Sequence, residues 1–220
     1  MNYLRTRTLV LLAGLAMAGT ATAEDNLWFG VKAGTLGLGA EATWRPIDWV
    51  DLRLGANLYD LSDSGREAGV GYNSDFNLET YYLTGNLRFP LSPLRLTVGA
   101  FQNSNRIDLV STDATSFDIG GTTFTPADVG TLTSTTSFSS TSPYFGLGFD
   151  FELVNRLGLT LDLGVLWQGE PDVTLTADGL LSSDATFLSL LEAERQELAN
   201  EMDDLKAYPV ISLGVNFNFF

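Results

Sequence analysis

The stretch Tyr208–Phe220, YPVISLGVNFNFF, decides the fold. From Ile211 onward Ile211, Leu213, Val215, Phe217 and Phe219 fall on one side, and Ser212, Gly214, Asn216 and Asn218 fall on the other, because strand side chains alternate with a period of two. The apolar side needs an apolar neighbour along its whole length. The alternation peaks at Phe219 and leaves Phe220 one residue beyond.

The opposite end carries a second signal. Arg5 and Arg7 precede an apolar core from Leu9 to Gly19, and Ala21, Thr22, Ala23 form an A-x-A cleavage site before Glu24. These features predict an export signal over residues 1–23 and one mature domain over 24–220. The leader is too short for a membrane anchor, and no other run approaches the ~18 apolar residues of a transmembrane helix. A membrane-embedded form of this chain would therefore cross with strands.

Charge and composition exclude several function classes. The net charge is −15, and losing Arg5 and Arg7 with the leader makes it −17. Nucleic acid is not an expected partner, since phosphate binding needs a basic footprint. There is no cysteine and no histidine. Disulfides and thiolate metal sites are thus excluded, and no cofactor is expected. The 22 glycines, with scattered Thr, Ser and aromatics, suit strands and turns.

Further alternating runs match the C-terminal one: Val50–Tyr59, Tyr81–Phe89, Leu94–Phe101, Tyr144–Phe151 and Leu157–Val165. Trp28–Trp44 is also extended, but its apolar phase flips at Gly34 and Thr35, which marks a bulge or a reversal of direction. The turns at Pro46–Asp48, Pro90–Pro93 and Asn155–Arg156 are short. Ser62–Asp75 and Asp108–Ser142 read as long polar loops, with Gly120 and Gly121 as a hairpin turn in the second. Alternating short and long connections fit a bacterial barrel with periplasmic turns and extracellular loops, and each strand is about the ten residues needed to cross. A soluble sandwich alternates equally well but accounts less well for the leader and the terminal aromatic strand. Seven strands are clear. Leu27–Ala33 is the preferred eighth, and Thr131–Ser139 the other candidate.

One segment is helical. Ser183 or Asp184 suits an N-cap, and Phe187, Leu191, Leu198, Met202 and Leu205 recur at helical spacing among Glu192, Glu194, Glu197, Glu201, Asp203 and Asp204. A helix over about 183–206 would be ~35 Å long and ~10–12 Å wide. The lumen of an eight-stranded barrel is already filled by side chains. The helix is therefore expected outside the lumen, against the extracellular loops, with self-association through its apolar face as a second reading.

Six segments carry a resemblance: GTLGLGAE (34–41), RLTVGAF (95–101), IGGTTFTPADVGTL (119–132), PYFGLG (143–148), DLGVLWQGEPDVTL (162–175) and YPVISLG (208–214). Together and in this order they resemble a family of small Gram-negative outer-membrane β-barrel proteins of uncharacterised activity. The resemblance implies location and architecture and lends no catalytic residue.

On the inward phase lie Glu41, Asp51, Asp150 and Asp162, and also Arg53, Arg88 and Arg95. Without histidine a Ser/His/Asp constellation cannot be built. Facing carboxylates and guanidiniums in a narrow interior read as mutual neutralisation, since unpaired buried charge is costly. The expected fold is all-β, a transmembrane antiparallel β-barrel of about eight strands with one long extramembrane α-helix before the last strand. The expected role is non-enzymatic, structural or surface-interacting, in the cell outer membrane. Its expected surroundings are outer-membrane lipid and lipopolysaccharide, and the barrel-assembly machinery reading Phe217, Phe219 and Phe220. The rival is a narrow porin-like channel for small solutes, disfavoured if Arg53, Arg88, Arg95, Tyr59 and Tyr82 crowd the lumen.

Overall fold

The computed structural model describes residues 26–67, 69–138, 141–154 and 156–218. The expected leader, Phe219 and Phe220 lie outside these residues. In chain order the strands are β1 (Leu27–Gly34), β2 (Gly37–Ile47), β3 (Val50–Glu67), β4 (Val70–Arg88), β5 (Leu94–Asn103), β6 (Arg106–Ala114), β7 (Phe117–Ile119), β8 (Thr122–Phe124), β9 (Leu132–Ser137), β10 (Thr141–Val154), β11 (Leu157–Trp167), β12 (Asp172–Ala177) and β13 (Ala207–Asn218). Helix α1 (Pro126–Val129) precedes β9 and helix α2 (Ala185–Glu201) precedes β13.

Eight strands close a barrel in the order β4, β3, β2, β1, β13, β11, β10, β5 and back to β4, every neighbour antiparallel. The eighth strand is β1, the preferred candidate. The phase flip at Gly34 and Thr35 is a reversal: β1 turns into β2 there, and Gly37 takes a positive φ of 94° that suits glycine. The Thr35 N–H donates to the Ile211 carbonyl at 2.9 Å, tying this hairpin to β13.

Trp28 pairs with Asn218, so β1 begins where β13 ends. The tight connections after β2, β4 and β10 lie at that same end. The long connections, including the one holding α2, lie at the other, which is the extracellular end of an outer-membrane barrel.

On β13 burial alternates residue by residue from Tyr208 to Asn218, with Ser212, Gly214, Asn216 and Asn218 inside and Ile211, Leu213, Val215 and Phe217 outside. The exposed side of the other barrel strands carries Leu38, Leu54, Leu83, Val98, Phe145 and Leu163. Apolar side chains point out and polar ones in, the inversion that oil around a barrel demands.

The two expected polar loops are largely strand instead. β3 and β4 pair in one register from Val50↔Leu87 to Glu67↔Val70, well past the rim where β2 stops at Leu38↔Leu58. The β5–β4 register (Thr80↔Asn103) continues unchanged into β6–β4 (Asn77↔Arg106), and β10–β5 (Thr141↔Gln102) continues into β9–β6 (Arg106↔Ser137). β12 pairs with β9 above β11. Five strand paths thus climb above the barrel as a wall, while β13, β1 and β2 stop at the rim. Thr131–Ser139, the alternative eighth strand, supplies β9 in this wall. Gly120 and Gly121 turn the β7–β8 hairpin with φ of 57° and 72°, as a tight two-residue hairpin turn requires.

Asp184 caps α2, accepting from the Thr186 and Phe187 N–H groups. The α-helix ends at Glu201 and a 3-10 turn, Met202–Lys206, finishes the expected helical span. Phe187 and Leu191 enter a core with Val70, Phe117, Ile119 and Val129, flanked by Tyr72, Leu132 and Leu175. The helix lies outside the lumen, on the lumen-side face of the climbing wall.

Candidate functional site

The barrel interior brings together all seven charged residues singled out from the inward phase. Arg53, on β3, is the hub: its guanidinium lies 3.6 Å from Glu41, 3.6 Å from Asp51, 3.3 Å from Asp150 and 3.9 Å from Asp162. Asp150 gathers three guanidiniums, with Arg88 at 2.6 Å and Arg95 at 3.0 Å besides Arg53. That explains how Arg88 and Arg95 stand directly opposite one another on β4 and β5, a pairing that is otherwise repulsive. Arg95 also reaches Asp162 at 2.5 Å and donates to Thr97 at 2.9 Å. Asp51 accepts from Asn86 and lies 3.6 Å from Arg88.

One member was missed from sequence. Lys32, on β1, lies 3.5 Å from Glu41 and 4.1 Å above the Tyr82 ring, while the Tyr82 hydroxyl donates to Glu41 at 2.8 Å. Its position on the same phase as Gly30 and Gly34 was the available signal. With Lys32 the bridged set holds four cations and four carboxylates. Such a set avoids the penalty of a lone buried charge, although its Coulomb attraction mainly repays desolvation. β10 is shaped for it: a Cβ at Gly148 would collide with the Arg95 guanidinium.

Above the charged layer sits an aromatic one. Tyr82 stacks on Phe101 with ring centroids 4.8 Å apart, Phe101 meets Tyr144 at 5.1 Å, and Leu36, Leu166 and Val210 close the cluster. Higher still, Asn103 donates to Gln168, whose own amide donates to the Leu205 carbonyl. Tyr82 is inside as expected. Tyr59 is not: it lies above the rim and is 42 % exposed.

Among the described residues, voids beside the charged layer include two of about 20 Å³, each enough for a single water. Every carboxylate of the set faces at least one cation, which leaves none poised as a free acid or base. The charges link β1, β2, β3, β4, β5, β10 and β11 across the axis. Among the described residues no cluster has metal-binding composition. Phe217 is on the outer face of β13, near its pairing with Phe29.

No protein-family model matches the chain, and no curated protein matches it. Solved structures do. The crystal structure of Acinetobacter baumannii CarO is similar over 90 % of this chain and 100 % of its own, with 27 % identity and a TM-score of 0.62. That of Acinetobacter baumannii CarO2 is similar over 88 % of this chain and 98 % of its own, with 26 % identity and the same TM-score. These are outer-membrane β-barrel proteins, and the chain shares their closed eight-stranded barrel architecture.

Proposed function

We propose that this chain is a non-enzymatic outer-membrane protein whose role is structural or surface-interacting, carried by its extracellular wall and helix rather than by its lumen. The observation behind this reading is the closed axis: a neutral layer of eight bridged charges below three packed aromatic rings. A solute would have to break buried ion pairs and displace packed rings, each costing several kcal/mol. In this reading outer-membrane lipid and lipopolysaccharide surround the Leu-rich belt, and the terminal aromatic strand is read by the barrel-assembly machinery.

Planar-bilayer conductance of the refolded chain tests the proposal. Silence at ordinary salt is expected. Steady open channels would replace it with the narrow porin-like reading. The absence of histidine, with each lumen carboxylate engaged by a cation, weighs against catalysis.

A further inference from the structure

Where the wall rises above β2, one edge of β3 is left without a strand neighbour among the described residues. Pairing with β2 ends at Leu38↔Leu58, yet β3 continues to Glu67 with β4 on its other side only. Every residue from Leu58 to Arg66 is exposed. The Ser64 N–H donates to the adjacent Asp63 carboxylate at 2.8 Å, a side chain standing in for a missing strand. The vacant position is bounded below by the β1–β2 hairpin, where Gly37 packs against Leu58 and Tyr59. By contrast, the far edge of the wall is partly capped, since the Arg195 guanidinium donates to the Val173 carbonyl on β12.

We infer that this edge is a docking site for an extended segment of a partner protein, which adds as a strand beside residues 59–67 and carries basic side chains at alternate positions. An unpaired strand edge is a template for such addition: main-chain bonds supply affinity and alternate side chains supply selectivity. The chemistry of the two faces names the partner. On the outer face stand Asp60, Ser62 and Ser64, with Asp75 accepting from Ser62 at 2.5 Å; the one cation there, Arg66, is already bonded to Asp113. Toward the concave side stand Tyr59 and Leu61, 42 % and 44 % exposed, followed by Asp63, whose carboxylate accepts from the Ser64 N–H. A strand alternating cationic and apolar residues meets both faces. A second copy of this chain is disfavoured, because its edge brings Asp60 and Asp63 to an already acidic one.

The inference rests on the surface-interaction reading, and the two fail separately, since conductance tests that reading and peptide binding tests this one. The experiment uses the refolded full chain in neutral detergent and a fluorescent octapeptide alternating Lys and Val, with a Glu–Val octapeptide as control. The expected result is saturable binding of the Lys–Val peptide alone. It should fall at least tenfold in Ser64→Pro, which removes an edge donor, and several-fold in Asp60→Lys, which keeps the edge intact. A heat-modifiable folded band must be present for both variants, and Asp60→Lys carries the test should Ser64→Pro fail to fold. No binding, or equal binding to wild type and both folded variants, overturns the inference. Concentration-dependent dimers abolished by the same variants would also overturn it, by making a second copy the occupant.

Discussion

β4 passes through two regions that are built inside out relative to one another. Below Thr80 its lumen-side residues are Tyr82, Thr84, Asn86 and Arg88, and its outer residues are Tyr81, Leu83 and Leu87. Above, with side-chain alternation kept as far as Tyr72, the lumen side becomes Leu78, Phe76, Ser74 and Tyr72, and the outer side becomes Glu79, Asn77, Asp75 and Asn73. The backbone does the same thing in both halves. What changes is the solvent on the outer face, oil below and water above, and the side chains exchange places to follow it. The lower half is a closed ring of paired strands with ion pairs filling its axis, the upper an ordinary apolar core closed with α2 and the β7–β8 hairpin.

If the two halves are stabilised by different forces, they should break separately. The largest effect is expected from Arg95→Ala. It leaves Asp162 with Arg53 at 3.9 Å as its nearest cation, while Asp150 keeps Arg88 and Arg53, in an interior where Arg95 is 1 % exposed, a loss of roughly 3 kcal/mol. The urea midpoint of the heat-modifiable barrel band should fall accordingly. Phe187→Ala should remove about 3 kcal/mol from the upper core alone. Limited proteolysis should then cut within the 104–140 and 168–206 connections while the barrel band persists. Loss of the barrel band instead would merge the two halves into one cooperative unit.

Smaller effects sharpen the contrast within the upper half. Asp184→Ala, which removes the N-cap of α2, should cost about 1 kcal/mol, read as faster amide exchange at Thr186 and Phe187. Least of all is the pH effect at Glu192. Hydrogen bonds from Arg195, then Gln196, hold its carboxyl at about 2, below its ordinary value of 4.5. A depressed carboxyl contributes stability above its unfolded value and loses it as pH falls through the folded one. A slight loosening of α2 between pH 5 and pH 2 is therefore expected, visible by amide exchange and absent in Glu192→Gln.

The lower half was readable from sequence because oil outside and charge inside make the alternation absolute: Asp51, Arg53, Arg95 and Asp162 stand out against rows of leucine. The upper half was not. Water on the outer face makes residues such as Asn73, Asp75, Asp108 and Thr135 polar, and runs of this composition read as loop. The inner row was present all along in Tyr59 and Leu61, in Phe76 and Leu78, in Ile107 and Leu109, and in Val173, Leu175 and Ala177. Each is a short alternation of only two or three residues, and only the unbroken registers from β5 into β6 and from β10 into β9 join them. The helix was legible because Phe187 and Leu191 keep helical spacing. Which surface it covers depends on the wall.

The exchange of faces on β4 can be measured directly. The chain has no cysteine, so single cysteines at Leu83, Tyr81, Asn77 and Asp75 can each carry a nitroxide in lipid vesicles. All four lie on the outer side of one strand. Accessibility to oxygen should dominate at 83 and 81, and accessibility to a water-soluble nickel complex at 77 and 75, with the crossover at Glu79. Water-like accessibility at Leu83, or shielding from both reagents there, would contradict a barrel surrounded by oil.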